Sequence, residues 1–162
     1  MKLISTILFA IIVSFVVIIS QAHSEQSIEY PNDYRHWTHI KSMVIQEGHP
    51  LHTSFGGIHH IYANQEALIG YQTAKFPEGS IIVFDLLEVS DQDNAISETH
   101  RKVLGVMVKN SKAFSDTSGW GFEGFGAGNP NNPVIGSNYK NACYECHTSQ
   151  QDADYVFSKW RD

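Results

Sequence analysis

The first hydrophobic pattern along the chain is an apolar run over residues 3–19, which contains no charged residue. Lys2 is the only charged residue among positions 1–24, and small and polar residues follow the run from Ser20 to Ser24. A basic start, an apolar stretch and small residues are typical of a secretory signal peptide. We therefore expect a signal peptide over 1–24 and one exported domain over 25–162. Because the run is close to the length that spans a bilayer, an uncleaved membrane anchor is the alternative.

The next periodic segment predicts a helix over residues 33–45, with Asn32 as its N-cap. Its apolar residues recur at helical spacing: Trp37, Ile40, Met43 and Val44. A second helix is predicted over Gln65–Thr73, and a short closing helix over 152–160.

Between and after these helices the pattern changes to short strands, which we place at 58–63, 80–87, 99–109 and 120–125. In the second of them both alternating sets are apolar, with Ile81 and Val83 on one side and Ile82 and Phe84 on the other. A strand of this kind is covered on both faces. The sequence therefore predicts an α+β fold, mainly an antiparallel β-sheet packed with a few helices.

Both cysteines of the chain fall in one motif, Cys143-Tyr144-Glu145-Cys146-His147. This C-x-x-C-H spacing attaches a c-type haem through two thioethers, and the histidine ligates the iron. On a helix the two sulfurs and the imidazole share one face. We therefore expect one haem c per chain, held by Cys143 and Cys146, with His147 as the metal ligand. Polar atoms near His147, such as a backbone carbonyl, are expected to orient that imidazole, although the sequence does not identify them.

Zinc binding, a redox thiol pair and a structural disulfide are the alternatives for this motif. Zinc needs further soft ligands, and the chain has no third cysteine. A redox C-x-x-C pair is typical of the start of a βαβ unit, whereas this motif lies near the C-terminus. Haem c attachment takes place outside the cytoplasm in bacteria, so the motif and the signal peptide together predict a periplasmic protein.

The overall charge excludes one class of partner. Seventeen Asp and Glu against eleven Lys and Arg give a net charge of −6, and no basic cluster is present to bind phosphates. Nucleic acid is therefore not expected as a partner. The acidity favours a basic redox partner protein through electrostatic steering.

Glycine alternates with aromatic residues over residues 119–126. Trp120, Phe122 and Phe125 are candidates for the wall of a porphyrin site, because glycine lets the backbone approach a flat ligand. Packing of ordinary core aromatics on a bulged strand is the alternative.

Two consecutive histidines, His59 and His60, lie on the first predicted strand and must face opposite ways. One of them is a candidate distal group, either as a sixth iron ligand or as a donor to a bound gas, and His59 is preferred. Met107 is a further conceivable ligand. In the alternative, the histidines satisfy neighbouring groups or line a subunit contact, and Met107 packs in the core.

The order of several motifs resembles the cytochrome P-460 family, which includes the cytochromes c′-beta. The matching segments cover nearly the whole mature chain and lie at 33–37, 55–62, 79–87, 108–111, 120, 143–147 and 154–158. The resemblance implies a periplasmic, mostly antiparallel β domain, a homodimer, and one haem ligated on one side only. It also implies that His59 takes the place of a polar residue near the haem.

Two departures from the family pattern bear on activity. Enzymatic members cross-link the haem to a lysine after a Gly-[Ser/Thr]-x-x-Val pattern, and Phe84 stands at that place here, where it is expected to contact the haem. They also carry a pocket glutamate shortly before the Val108-Lys109 run, whereas this chain has Leu104 to Met107 there. A phenyl ring cannot form the cross-link, and no proton acceptor occupies the second position.

Three functions therefore stay open. The first is a haem protein that binds nitric oxide or carbon monoxide as a small-molecule ligand, with no catalytic residue assigned. The second is an oxidoreductase acting on hydroxylamine or nitric oxide, and Phe84 and the missing carboxylate count against it. The third is an electron-transfer protein with six-coordinate iron.

Overall fold

The computed structural model describes residues 27–161, so the expected signal peptide over 1–24 lies outside the described residues. Within that range five strands form one antiparallel sheet in the order β1-β2-β3-β4-β5. They are β1 (Thr38–Ile45), β2 (Gly57–Ala63), β3 (Ile81–Gln92), β4 (Ala95–Lys109) and β5 (Trp120–Gly126). With the short helices described next, this confirms the expected α+β class.

Three α-helices are present in the described range: α1 (His52–Phe55), α2 (Gln65–Thr73) and α3 (Glu145–His147). A π-helical turn at Lys140–Tyr144 leads into α3, and 3₁₀ turns lie at Tyr34–His36, Ser115–Thr117, Gly136–Asn138 and Thr148–Ala153. The prediction for α2 is confirmed, and Asn64 caps this helix by accepting a hydrogen bond from the Ala67 amide. No helix in the range 27–161 has the length and apolarity needed to cross a membrane.

The sheet is covered on both faces, as the pattern of β3 predicted. The first core contains Ile82 and Met107, and the second core contains Val83 and Leu104. The other members of the first core are Ile40, Ile61, Ala63, Ala67, Phe76, Trp120, Phe122 and Val156. The other members of the second core are Tyr34, Val106 and Phe125. Helix α2 and the C-terminal segment therefore lie on one side of the sheet, and the N-terminal segment lies on the other.

The helix predicted over residues 33–45 is wrong, and Asn32 is not the N-cap of such a helix. A single 3₁₀ turn at Tyr34–His36 is followed by the edge strand β1. The pairing of β1 with β2 shifts between His39 and Lys41, which leaves Ile40 as an extra residue. Because a bulge interrupts the two-residue alternation of a strand, the apolar positions fall three or four apart and imitate a helix.

The closing helix predicted over residues 152–160 is also wrong. The 3₁₀ turn Thr148–Ala153 ends at Asp154 and Tyr155, whose φ values of 50° and 66° lie in the left-handed region. Contacts with β4 and β5 hold Asp154 in this conformation, and the chain beyond Tyr155 runs without helix through residue 161.

Strands β3 and β4 extend further than predicted, from Leu87 to Gln92 and back from Thr99 to Ala95. They are joined by Asp93 and Asn94, with φ values of 55° and 61°. Two left-handed residues form the tight turn that fits the twist of a β-hairpin, and Asp and Asn tolerate it. This part of the hairpin is polar and exposed, so its hydrophobic pattern is weak.

Candidate haem site

The C-x-x-C-H motif lies on a continuous helical segment, which is the case in which its two sulfurs and its imidazole share one face. The π-helical turn Lys140–Tyr144 contains Cys143, and α3 contains Cys146 and His147. Both cysteines are free thiols; Cys143 packs against the first core, and Cys146 is exposed. The Cys143 side chain therefore stands on the side of the molecule that carries the first core.

Burial raises the pKa of the Cys143 thiol to about 11, and the negative charge of the nearby Glu123 acts in the same direction. At neutral pH this thiol is protonated. Its environment is apolar, which suits a thioether better than a thiolate.

The His147 imidazole is fixed by a hydrogen bond between its Nδ1 atom and the Tyr155 carbonyl oxygen, at 2.7 Å. A carbonyl can only accept, so Nδ1 must carry the proton, and Nε2 keeps its lone pair. Burial lowers the pKa of His147, although the bond to Tyr155 opposes that effect. The expectation that a backbone carbonyl orients this ring is confirmed.

Two aromatic rings hold the same imidazole from its sides. The Phe122 ring lies 4.9 Å from it between centroids, and the Phe157 ring lies 5.0 Å away in an edge contact. Phe122 belongs to the first core, whereas Phe157 is 48% exposed. His147 therefore lies at the boundary between the core and the surface.

His59 and Phe84 lie next to one another on the face of the sheet that carries the first core. Their ring centroids are 4.6 Å apart and the planes are tilted by 34°. Phe84 pairs with Ile61 of β2 and packs against the first core, and Phe55 of α1 contacts its ring at 5.7 Å. The strand pattern therefore brings two of the predicted site residues to the same face as Cys143 and His147.

His59 is only 6% exposed, and its Nδ1 atom has no hydrogen-bond partner. Among the residues that the structure describes, this is the one buried side-chain nitrogen or oxygen left unpaired. Burial, helped by the positive charges of Lys41 and His60, lowers the pKa of His59 from 6.5 to about 4. The imidazole is therefore neutral at physiological pH and has a free polar atom.

His60 points to the opposite face of the sheet from His59, and both of its ring nitrogens are hydrogen-bonded. Its Nδ1 atom bonds the Ser42 hydroxyl at 2.6 Å, and its Nε2 atom bonds the Glu98 carboxylate at 2.8 Å. The alternative given above, in which a histidine satisfies neighbouring groups, therefore applies to His60.

The aromatic residues of β5 divide between the two faces of the sheet. Trp120 and Phe122 belong to the first core, and Phe125 belongs to the second core, where it contacts Tyr30. For Phe125 the alternative of a core aromatic therefore applies, because its position on the strand points it to the face away from Cys143 and His147. Trp120 is fully buried, and its indole N–H donates to the Asp154 carbonyl at 2.9 Å. Met107 is a buried member of the first core.

A family model described as Cytochrome P460 matches residues 31–158 of the chain. This match covers most of the chain. The chain belongs to the cytochrome P460 family. No curated protein matched the sequence. Membership implies a haem cofactor, and it confirms the resemblance inferred from the order of the motifs.

The residues of this cytochrome P460 family member fit a haem. Two thiols and a histidine with a free Nε2 lone pair are the donors that covalent attachment and iron ligation require. Phe55 and Phe157 are 38% and 48% exposed beside Phe84 and His147, and a porphyrin would remove such apolar surface from water. The unpaired Nδ1 atom of His59 lies on the same face of the sheet.

The family departures are also visible on this face. The face of the sheet that carries the first core and Phe84 is called the site face. Gly105 and Met107 lie on this face, whereas Leu104 and Val106 point into the second core. Neither Gly105 nor Met107 carries a carboxylate. The segment between 104 and 107 therefore offers no proton acceptor at this position.

Sequence reasoning missed Tyr155, Phe157 and Phe55. The first two lie in segment 154–158, which carried part of the resemblance, but their pattern was interpreted as a helix. Phe55 lies on a four-residue helix that has no periodic signal. The contribution of Tyr155 comes from its backbone, and no side-chain pattern reports the direction of a carbonyl.

Proposed function

We propose that this protein is an exported c-type cytochrome that holds one haem c and binds nitric oxide or carbon monoxide at its iron. Cys143 and Cys146 form the thioethers, and His147 is the proximal ligand. The observation that carries the proposal is the hydrogen bond from His147 Nδ1 to the Tyr155 carbonyl, because it leaves Nε2 as the free base. When bound, the haem supplies an iron with one position for His147 and one for a small ligand.

The character of the site face supports gas binding over catalysis. Phe84 is apolar, and His59 is neutral because burial lowers its pKa to about 4. Gly105 and Met107 add no acid or base. A small uncharged ligand needs little more than an apolar site and one hydrogen-bonding group, and His59 is suited to be that group.

The first experiment uses protein made with a working c-type maturation system. Mass spectrometry should find a haem adduct that survives denaturation, and the ferric and ferrous spectra should be those of high-spin, five-coordinate iron. Titration of the ferrous form with carbon monoxide and nitric oxide should give saturable spectral changes. Free thiols or a simple disulfide at Cys143 and Cys146 would refute covalent attachment.

An electron carrier is the second candidate function, and the unpaired Nδ1 of His59 favours it. A buried neutral imidazole on the same face as His147 is a suitable sixth ligand. In that case the spectrum is low-spin and does not respond to either gas. The variant His59→Leu would then convert the iron to a high-spin, gas-binding form, whereas it leaves an already five-coordinate iron high-spin.

The sequence and its resemblance to the cytochrome P-460 family support proposals for the location, the oligomeric state and the redox partner of the protein. We infer export to the periplasm, assembly as a homodimer, and a redox partner with a basic surface, which suits a net charge of −6. Cell fractionation tests the location, and light scattering of the purified haem protein tests the dimer. A slower electron transfer at high salt would support the basic partner, since screening weakens steering.

A further inference from the structure

The Tyr155 carbonyl, which orients His147, belongs to a two-residue segment, Asp154-Tyr155. Every backbone N–H and C=O group of this segment makes a hydrogen bond. The Asp154 amide donates to Gln151 O at 3.1 Å, and the Tyr155 amide donates to Gln150 O at 2.8 Å. The Asp154 carbonyl accepts from Trp120 Nε1 at 2.9 Å, and the Tyr155 carbonyl is the partner of His147. Both residues are left-handed without being glycine, with φ values of 50° and 66°. Such backbone persists only where the surroundings determine it.

The Asp154 side chain supplies a second anchor. One carboxylate oxygen accepts from the Phe76 amide at 2.8 Å, and the other pairs with Lys109 Nζ at 2.9 Å. Lys109 also donates to the Ser118 carbonyl at 3.1 Å, and its Nζ lies 4.8 Å from the centre of the Trp120 ring. Lys109 and Trp120 are buried, so this ion pair is partly shielded from solvent.

These contacts connect the end of β4, the start of β5 and the loop after α2 to one turn of the chain. Rotation of the Asp154 peptide would break the bond to Trp120, and movement of the Asp154 side chain would break the bonds to Lys109 and Phe76. Neither Asp154 nor Trp120 touches His147 in the contacts described. Both act on His147 through the position of the Tyr155 carbonyl.

We infer that Asp154 and Trp120 are positioning residues that set the strength of the hydrogen bond from His147 Nδ1–H to the Tyr155 carbonyl. The strength of this hydrogen bond in turn sets how strongly Nε2 donates to the iron. The inference rests on the proposed role of His147 as the proximal ligand. A strong bond to the carbonyl gives the imidazole partial anionic character and makes it a better donor. Weakening the anchor lowers that donor strength without changing any residue that touches the iron.

The test compares two variants with a matched control in the haem-loaded protein. Asp154→Asn keeps the size of the side chain but removes the charge that binds Lys109, and Trp120→Phe keeps an aromatic ring but removes the donor to the Asp154 carbonyl. The control is Asp85→Asn, which removes a buried carboxylate that pairs with Arg101 in the region of the second core. It disturbs stability with no contact to residues 154 and 155.

The main measurement is the iron–histidine stretching band of the ferrous protein by resonance Raman spectroscopy. We expect a shift to lower frequency in both Asp154→Asn and Trp120→Phe, and no shift in Asp85→Asn. Proton NMR of the ferric protein should also show faster solvent exchange of the His147 Nδ1 proton in the two variants. Carbon monoxide affinity should also change in the two variants and stay at the wild-type value in Asp85→Asn.

The outcomes separate this inference from the proposed function. If the ferrous wild-type protein is high-spin but shows no iron–histidine band that His147→Ala removes, the proposed ligation by His147 fails. If the wild-type band is present but stays unmoved in Asp154→Asn and Trp120→Phe, the positioning inference alone is wrong. An equal shift in Asp85→Asn would also overturn it, because the effect would then follow from general destabilisation.

Discussion

His147 and His59 differ in the hydrogen bonds of their ring nitrogens, and this difference indicates a different role for each. His147 donates a hydrogen bond from Nδ1–H to the Tyr155 carbonyl, so its Nε2 atom offers a defined lone pair. His59 is buried with an unpaired Nδ1, which costs free energy unless a ligand or another group satisfies it. The first arrangement suits a permanent iron ligand, and the second suits a group that acts on a molecule bound nearby.

The depressed pKa of His59 predicts a pH dependence of folding stability. Above pH 6.5 the ring is neutral in both the folded and the unfolded chain. As the pH falls from 6.5 to about 4, the unfolded chain takes up the proton first, so stability is lost across this range. The loss amounts to about 3 kcal/mol, since a tenfold change in proton affinity is worth about 1.4 kcal/mol.

Urea unfolding at several pH values checks this prediction. His59→Leu should flatten the slope between pH 6.5 and 4 relative to the wild type. His100→Leu, which replaces an exposed histidine of β4, should leave the slope as it is. An unchanged slope in His59→Leu would show that its burial does not govern its protonation.

Phe84 predicts that the haem carries no lysine cross-link and that hydroxylamine turnover is slight or absent. Phe84→Lys should not restore sustained turnover, because Gly105 and Met107 still provide no base on this face. Loss of a general base typically costs about 10² to 10⁴ in rate. The assay incubates ferric protein with hydroxylamine and an artificial oxidant, with Phe84→Leu as the control, and sustained turnover by the wild type would contradict the prediction.

At the scale of the elements, Asn64 connects helix α2 to the sheet. Its Oδ1 atom accepts from the Ala67 amide at 3.0 Å and from the Ile81 amide at 2.9 Å, and its Nδ2 atom donates to the Gly79 carbonyl at 2.9 Å. It is therefore both the helix cap and the partner of the first residue of β3. One side chain thus sets the angle at which α2 meets the strand that carries Phe84.

Asn64→Ala should destabilise the protein by about 2 kcal/mol. Loss of a cap alone costs about 1 kcal/mol, and the partly buried Ile81 amide also loses its partner. Chemical denaturation monitored by circular dichroism measures the change. Gln65→Ala at the neighbouring exposed position should stay within about 0.5 kcal/mol of the wild type, and an equal effect of both substitutions would contradict the dual role of Asn64.

At the scale of the whole molecule, the sheet separates two environments. The face with the first core carries Cys143, His147, Phe84 and His59, and the second core is accompanied by a polar cluster around Asp85. Asp85 is 1% exposed and binds Tyr34 and Arg101, with Arg35 at 3.7 Å. Burial, with the bond to Asp85, raises the pKa of Tyr34 to about 12. One side thus bears the site, and the other stabilises the sheet.

Asp85→Asn should therefore lower stability while leaving the site unchanged. Removing one partner of a buried ion pair costs roughly 3 kcal/mol, because Arg101 keeps a charge without its counterion. Thermal unfolding measures the loss. The visible spectrum and the carbon monoxide affinity should match the wild type, and a changed spectrum would show that the two faces are coupled.

The sequence by itself determined the features that depend on local chemistry. The C-x-x-C-H spacing predicted the cofactor, and a family match over residues 31–158 supports it. The two-residue alternation predicted strands β2 to β5 and the two-sided burial of β3, because side-chain direction in a strand follows from backbone geometry. Helix α2 was also predicted with its bounds, since its apolar spacing and its cap lie within one short segment.

Tertiary structure alone decided the rest, because those features depend on partners distant in sequence. Ile40 lies in the bulge of β1 because of the pairing with β2, so its neighbours looked helical. The left-handed Asp154 interrupts a predicted helix because Lys109 and Trp120 hold it in that conformation. The direction of the Tyr155 carbonyl, which orients His147, is a backbone property set by these long-range contacts, and no local pattern encodes it.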